Sequence, residues 1–250
     1  MKIKSDGIVT GDEVYIENGV VIKVLPRKNR LKRPNVANID GVVVVVANPP
    51  QPDFYMTDKL ISICTINDIP VSLVVNKLDI GDETADKIEK NYGGAVDKIF
   101  RVSAKTGEGF DELVKEFNGK TVVLTGQSAV GKTSILNRLF GENRQTGEVS
   151  RKTERGKQTT TVSEIVEKDG VGIIDTPGFS AIDLTITTDE LPHSYPEFIK
   201  FLGECRFSDC KHIGEPFCAV KSAVENNIIN KTRYSRYKEI YKELQNDKKY

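Results

Sequence analysis

Six consecutive apolar residues, 42–47, limit the fold of this chain more than any other feature, since five of them are valine. Unbroken runs of β-branched residues are typical of strands buried on both faces of a mostly parallel sheet. Five further runs and three helix-like segments alternate with it along the chain. The runs cover residues 71–75, 98–102, 121–125, 162–167 and 171–174, and the helix-like segments cover 82–91, 111–117 and 132–140. This alternation predicts an α/β domain over residues 36–189, with six strands and helices on both faces.

Length and composition exclude several classes of protein. The chain has 250 residues, of which 38% are hydrophobic, with 20 glycines besides, so we expect a folded chain. The longest apolar run is six residues, far below the roughly 20 that span a bilayer. Polar residues occupy the N-terminus where a signal peptide needs its apolar stretch. We therefore expect a cytoplasmic protein without a membrane partner.

The two flanks differ from the middle in charge and pattern. Net charge is zero overall, but residues 1–40 carry +3, residues 41–189 carry −5 and residues 190–250 carry +2. Near the N-terminus, Asn18 and Gly19 separate two short alternating runs, which is a strong hairpin signal. We predict a small β module at 1–35 and a helical module at 190–250.

A glycine-rich segment directly after the run at 121–125 fits the pattern G-x-x-x-x-G-K-[ST]. Between a strand and a helix, such a loop wraps its backbone N–H groups around phosphates. Lys132 is then predicted to reach the β- and γ-phosphates, and the Thr133 hydroxyl to ligate Mg²⁺. The alternative is a strand–helix turn that binds nothing. The predicted nucleotide-binding residues here are Gly126, Gln127, Ser128, Ala129, Val130, Gly131, Lys132, Thr133 and Ser134.

Two polar turns after other strands indicate guanine as the base. Asn76, Lys77 and Asp79 form the pattern N-K-x-D, in which the carboxylate accepts hydrogen bonds from guanine N1–H and N2–H₂. Adenine lacks those donors, so such a site rejects it. After the next strand come Ser103, Ala104 and Lys105, where a backbone N–H can donate to guanine O6. Each turn is a weak signal alone, but together with the phosphate loop they predict GTP and GDP as ligands.

The run at 171–174 ends in the sequence Asp175-Thr-Pro-Gly178. An aspartate there is predicted to hold Mg²⁺, and the Gly178 N–H to contact the γ-phosphate. A threonine that completes the Mg²⁺ shell is expected between the phosphate loop and this strand. Thr160 is our first choice, with Thr159 or Thr161 as alternatives, although three threonines are also ordinary strand sequence.

The order of these motifs is unusual, because N-K-x-D and Ser-Ala-Lys precede the phosphate loop. The six strands match a GTP-binding domain that has been circularly permuted, which is physically plausible where termini lie close together. In this order the segment after Asp175 leads directly into the C-terminal module. We therefore hypothesise that loss of the γ-phosphate is transmitted to residues 190–250.

Three of the four cysteines and one of the two histidines fall within 14 residues: Cys205, Cys210, His212 and Cys218. Three thiolates and an imidazole match a closed tetrahedral site for one structural Zn²⁺. The alternative is buried cysteines beside a surface histidine. Cys64 stands alone in an apolar stretch and is expected in the core.

Two basic stretches leave RNA binding open. The first contains Arg27, Lys28, Arg30, Lys32 and Arg33, and the second lies beside a stripe of Tyr234, Tyr237, Tyr241 and Leu244 at helical spacing. Such patches can follow an RNA backbone or can be ordinary solvated faces. For the tyrosine stripe we favour packing within the module.

Taken together, these motifs resemble the circularly permuted GTPases of small-ribosomal-subunit assembly, the RsgA (YjeQ/YloQ) family. The resemblance spans roughly residues 20–244 and rests on the motif order and on the Cys-His cluster. It implies GTP hydrolysis stimulated by the small (30S) subunit late in its maturation. It also implies a monomer whose N-terminal OB-fold and C-terminal zinc module bind ribosomal RNA.

The chain departs from that family in two places, and a third position differs from Ras-like GTPases but agrees with the family. Residues 1–35 are too short for a full OB barrel, so we expect a partial one. Phe179 stands where other GTPases place a water-orienting glutamine, which predicts slow intrinsic turnover. Gln158 replaces a histidine and could orient water but not act as a general base. We expect Gln158→Ala to lower stimulated turnover and spare GTP affinity.

Two other functions remain compatible with these residues. One is an RNA-docking module whose nucleotide only sets its conformation, with turnover incidental. The other is a GTPase that delivers metal through its cysteines, which a closed four-ligand site disfavours.

Overall fold

A six-stranded sheet forms the centre of the computed structural model, which describes residues 7–32, 34–141, 165–168, 170–175 and 186–247. The strands are β5 (Gly41–Val46), β6 (Val71–Val75), β7 (Lys98–Arg101), β8 (Thr121–Gly126), β9 (Ile165–Lys168) and β10 (Val171–Asp175). Their order across the sheet is β7-β6-β5-β8-β10-β9, and only β9 runs antiparallel to its neighbour. This confirms the predicted α/β class with a mostly parallel sheet.

The valine run of β5 separates two cores because successive side chains point to opposite faces of a sheet. Val42, Val44 and Val46 belong to one core, and Val43 and Val45 belong to the other. Four helices cover the two faces. They are α1 (Phe54–Ile66), α2 (Glu83–Tyr92), α3 (Phe110–Phe117) and α4 (Lys132–Phe140).

The sequence pattern missed α1, because this helix has no polar face to give it a period. Its residues from Thr57 to Cys64 are all buried, including Asp58 and Lys59. Cys64 is in the core as expected, and burial raises the pKa of its thiol to about 12.

The N-terminal region forms two small antiparallel sheets, β1 (Val14–Glu17) with β2 (Val20–Val24) and β3 (Arg30–Leu31) with β4 (Val36–Ala37). Asn18 and Gly19 have φ of +51° and +78°, which confirms the predicted hairpin turn. The domain bound at 35 stays a prediction.

Two residues of the N-terminal basic stretch form ion pairs with acidic residues outside that stretch. The Arg27 guanidinium pairs with Asp12 at 2.6 Å, and Lys28 Nζ lies 2.9 Å from Asp40 Oδ1. Arg33 lies outside the described residues. The buried partner of Arg27 favours a structural role for that residue over contact with a phosphate backbone, whereas the Lys28 side chain stays largely exposed.

The C-terminal region has its own core around two short 3₁₀ helices, Leu191–Ser194 and Pro196–Phe201, with α5 (Ala219–Glu225) and α6 (Lys231–Asp247). The tyrosine stripe of α6 packs into this core, as we expected. None of the described helices is long and apolar enough to cross a membrane.

Buried charges join α6 to α1. Arg233 is almost fully buried and lies 2.6 Å from Asp58 Oδ1, and Arg236 pairs with the other oxygen of the same carboxylate. The Arg233 guanidinium also pairs with Glu197 and lies between the rings of Tyr92 and Tyr195. Lys59 of α1 reaches Glu243 of α6 at 2.7 Å. The C-terminal module therefore has a fixed orientation on the sheet.

Candidate nucleotide site and metal centre

The predicted phosphate loop lies between β8 and α4, at the carboxyl edge of the sheet. Two of its glycines are required by close neighbours. Gly126 has φ of +145°, and a Cβ there would stand 2.3 Å from the Val45 carbonyl oxygen. At Gly131, with φ of +97°, a Cβ would stand 2.3 Å from Asn76 Nδ2. A side chain at either position would displace the loop.

The Lys132 ammonium is positioned over this loop. Its Nζ donates to the carbonyl oxygens of Gly126 at 2.7 Å and Gln127 at 2.8 Å. Burial lowers the pKa of Lys132, and the carboxylate of Asp175 opposes that shift. Asp175 ends β10 and is in register with Leu124 of β8, so it lies at the same edge of the sheet. A hydroxyl at Thr133 and this carboxylate are oxygen donors of the kind that Mg²⁺ takes.

Asn76 connects all three predicted nucleotide loops. Its Nδ2 donates to the Val130 carbonyl at 2.9 Å, and its Oδ1 accepts from the Ala104 amide at 3.0 Å. Lys77, with φ of +72°, donates from Nζ to the Ala129 carbonyl at 2.8 Å. Segments about 25 and 50 residues apart in sequence are thus brought to one place, as the motifs predicted.

Asp79 is prepared to accept hydrogen bonds from a base. The Ser103 hydroxyl donates to its Oδ1 at 2.7 Å, and Lys105 Nζ lies 3.5 Å from Oδ2. The hydrogen bond from Ser103 is the main cause that lowers the pKa of Asp79, so the carboxylate is ionised at neutral pH. The chemistry at this position fits a guanine ring.

Sequence reasoning placed Gln127 in the site only as a variable position of the loop, and its contacts are more specific. Its Oε1 accepts from the Asp53 amide at 2.9 Å, and its Nε2 donates to the Gln51 carbonyl at 3.2 Å. Asp53 also caps α1, accepting from the Met56 amide at 3.0 Å. The phosphate loop is therefore tied to the start of α1, and no local sequence signal indicates this.

Several predicted residues lie outside the described part of the chain. They are Gln158, Thr159, Thr160, Thr161, Gly178 and Phe179. The predictions for the attacking water, the third Mg²⁺ ligand and the γ-phosphate contact stay predictions.

The four predicted metal ligands converge, with all ligand atoms within 4.8 Å of one another. His212 Nδ1 lies 3.5 Å from the sulfurs of Cys205 and Cys210 and 3.3 Å from that of Cys218. The sulfurs of Cys205 and Cys218 are 3.9 Å apart. Tetrahedral Zn²⁺ requires separations of roughly 3.6 Å between nitrogen and sulfur and 3.8 Å between sulfurs, from its usual bond lengths. The geometry fits that ion.

The surroundings of the cluster also suit a metal. Backbone amides of Ala219 and Lys221 point at the sulfurs of Cys205 and Cys218, at 3.3 and 3.5 Å. Burial raises the pKa of Cys210 to about 12, so a cation is needed to keep that thiolate ionised. The hydroxyl of Tyr234 donates to the His212 carbonyl at 2.8 Å, which fixes the loop on α6. With four protein ligands, a zinc ion here would be structural.

Solved structures share this fold over nearly the whole chain. The crystal structure of YjeQ from Thermotoga maritima is 36% identical, with a TM-score of 0.81 over 96% of this chain and 85% of that one. The structure of YloQ, a circularly permuted GTPase, is 27% identical, with a TM-score of 0.78 over 98% of this chain and 84% of that one. The permuted order inferred from the motifs is confirmed.

Curated relatives agree with the structures. The small ribosomal subunit biogenesis GTPase RsgA of Agathobacter rectalis is 41% identical over 98% of this chain and 82% of its own length. The protein of the same name from Thermotoga maritima is 40% identical over 91% of this chain and 79% of its own length. The family model described as RsgA GTPase matches residues 24–185. This chain belongs to the RsgA GTPase family, and its activity is the hydrolysis of GTP.

Proposed function

We propose that this GTPase acts as a late assembly factor of the small (30S) ribosomal subunit, in the cytoplasm and as a monomer. Support comes from the relatives named for small-subunit biogenesis, which this chain matches over about four fifths of their length. The single observation that carries the GTP-binding part of the proposal is the joining of three guanine-nucleotide motifs through Asn76.

In this proposal the base and the phosphates are bound by different loops. The ionised Asp79 accepts from guanine N1–H and N2–H₂, and the N–H groups of the loop from Gly126 to Thr133 surround the phosphates. Lys132 moves from the carbonyls that it contacts to the β- and γ-phosphate oxygens, where its charge stabilises the transition state. Thr133 and Asp175, with Thr160 as the expected third residue, would hold Mg²⁺, which supplies positive charge beside the leaving phosphate.

Hydrolysis requires a water molecule oriented towards the γ-phosphorus, and GDP is the leaving group. The residue expected to orient it is Gln158, since the side chain at position 179 is apolar. An amide cannot remove a proton from water, so its contribution is positional. We therefore infer slow turnover by the free protein and stimulation when the small subunit and its ribosomal RNA complete the site.

The test is steady-state GTP hydrolysis with no addition, with small subunits, with large subunits and with unstructured RNA. Stimulation by small subunits alone is expected. Lys132→Ala is the inactive control, because it removes the charge at the phosphates. Equal rates in all four conditions, with GTP binding intact, would favour a nucleotide-gated RNA-binding module instead.

A variant with altered base specificity distinguishes the activity of this chain from that of contaminating GTPases in ribosome preparations. Asp79→Asn replaces one of the two acceptor oxygens for guanine N1–H and N2–H₂ with an amide donor that suits the 2-oxo group of xanthine. This variant should hydrolyse XTP and lose most activity on GTP. Stimulation of its XTP hydrolysis by small subunits would assign the activity to this chain, and stimulation seen only with GTP would assign it to a contaminant.

A further inference from the structure

Phe217 is exposed in a backbone conformation that phenylalanine rarely adopts. It lies directly before the metal ligand Cys218, its φ is +56°, and 72% of its surface is accessible. The left-handed region is unfavourable for residues with a Cβ, and an exposed aromatic ring gains nothing from burial to offset that. Strain of this kind in a fixed loop is a reason to look for a function.

A second exposed ring and a guanidinium complete a small platform with Phe217. The Cζ of Arg206 lies 5.1 Å from the ring centre of Phe217 and 5.9 Å from that of Phe207, which is 42% exposed. Within the described part of the chain, Arg206 has no carboxylate at ion-pair distance. Its charge is therefore available to a ligand.

A zinc ion held by the four ligands would make this platform rigid. Arg206 follows the ligand Cys205, and its backbone amide donates to the Phe217 carbonyl at 3.2 Å. The two rings thus extend from segments that one zinc ion would link through Cys205 and Cys218. A rigid surface loses little conformational entropy when it binds.

The exposed aromatic area of the platform indicates what kind of ligand binds there. Two phenylalanine rings exposed to this extent offer roughly 200–300 Å², whereas a stable protein interface buries about 800 Å² on each partner. One or two stacked bases match the smaller area. Aromatic rings and arginine planes are the groups on which proteins stack unpaired nucleobases.

We propose that Arg206, Phe207 and Phe217 form a stacking platform for unpaired bases of single-stranded RNA. The inference rests on the proposed function, because the small ribosomal subunit supplies the RNA. Bases in a duplex already stack on their neighbours, so the platform discriminates between single-stranded and double-stranded RNA. The Arg206 guanidinium contacts the adjacent phosphate or stacks on a base edge.

The decisive variant is Phe217→Gly, because glycine accepts the left-handed φ and removes the ring. We expect its melting temperature to be unchanged or raised by up to about 2–4 °C, together with about tenfold weaker binding of single-stranded RNA. The probe is a short oligoribonucleotide carrying 2-aminopurine, whose fluorescence is quenched by stacking. Quenching by the zinc-loaded full chain should be lost in Phe217→Gly and in Phe207→Ala.

Matched controls separate stacking from loss of any exposed apolar group. Phe217→Tyr keeps an aromatic ring and should retain quenching. Ile228→Ala removes another exposed apolar side chain, 57% accessible, from the same module and should have no effect. Unchanged affinity and quenching in Phe217→Gly would overturn the proposal.

The experiment also distinguishes this inference from the proposed function. If the oligonucleotide binds normally to Phe217→Gly while affinity for small subunits falls, the platform contacts a ribosomal protein and our assignment is wrong. If small subunits fail to stimulate even the unmodified chain, the proposed function fails. Quenching of the oligonucleotide still decides the stacking inference in that case.

Discussion

The C-terminal module and the N-terminal hairpin of β1 and β2 are attached to the sheet in opposite ways. The C-terminal module is fixed by buried charges, with Arg233 and Asp58 both withdrawn from solvent. The N-terminal sheet of β3 and β4 packs into the core of the central sheet through Leu31 and Val36, and the Asp40 carboxylate accepts from the Thr121 amide at 2.8 Å and pairs with Lys28. The hairpin of β1 and β2 leaves Ile16 and Val20 exposed.

This difference shows how a module's attachment follows from the chemistry of its contacts. Buried ion pairs are directional and lose most of their value when one partner moves, so they define an orientation. A partly exposed pair such as that of Lys28 and Asp40 is worth little and permits movement. We therefore expect motion of the C-terminal module to be coupled to α1, and motion of the N-terminal hairpin to be independent of the nucleotide site.

Removal of zinc should give the largest effect and should be confined to the C-terminal module. Structural zinc contributes about 10–16 kcal/mol of apparent binding free energy in small zinc domains. After chelation, hydrogen exchange should rise strongly across residues 205–218 and spread to α6, while β5 and β8 stay protected.

Cysteine variants provide the control for that experiment. Cys210→Ser should lose bound zinc and exchange like the chelated protein, whereas Cys64→Ala should keep a full complement of zinc. Rapid exchange of β5 after chelation would mean that the two regions do not unfold separately.

Arg233→Met is the next largest change, because it leaves the buried carboxylate of Asp58 without its main partner. Loss of one member of a buried pair costs about 3–5 kcal/mol. Urea unfolding should show this loss in the free energy of unfolding. Adding Asp58→Asn should restore part of it, since the unpaired carboxylate at position 58 is then removed, and two additive losses would contradict the ion-pair explanation.

The sequence predicted the central sheet better than it predicted these attachments. Strands such as β5 and β6 are apparent from runs of valine, and the site loops are apparent from motifs with fixed spacing. The helix α1 was missed because its only charged side chains, Asp58 and Lys59, are buried against α6 and do not form a solvent-exposed polar face. Their partners are some 175 and 184 residues away in sequence, and no local pattern reports such contacts.

The residues of the candidate site also divide into those that the sequence predicts and those that it does not. Asn76, Asp79, Lys132 and the four metal ligands could be predicted because their chemistry requires particular residue types at particular positions. The link from Gln127 to the start of α1 could not, because the motif permits any residue there and the partners are backbone atoms. The unusual φ of Phe217 is likewise invisible in sequence.

Arg27→Gln should have a moderate effect, confined to the N-terminal module. The Arg27 side chain is the main cause that holds the pKa of Asp12 below its usual range. Because the folded pKa is lowered, the pair stabilises the module above the unfolded pKa near 4, and this is lost as pH falls through the folded value. At pH 7 we expect a local loss of about 1–2 kcal/mol, measured by hydrogen exchange of residues 9–25. The difference from the unmodified chain should shrink as pH falls below about 4 and vanish below the folded pKa of Asp12, and a difference that persists once Asp12 is protonated would indicate a packing role for Arg27.

Ile16→Thr should have the smallest effect, because 63% of the Ile16 side chain is exposed and threonine keeps the β-branch that strands favour. We expect a change within about 0.5 kcal/mol in the stability of the hairpin, against a loss of about 1–3 kcal/mol for Val44→Thr, which buries a hydroxyl inside the central sheet. Urea unfolding of the two variants, together with hydrogen exchange of residues 14–24, makes this comparison. If Ile16→Thr costs as much as Val44→Thr, the apolar face of the hairpin is covered in solution, and the N-terminal module is attached as firmly as the C-terminal one.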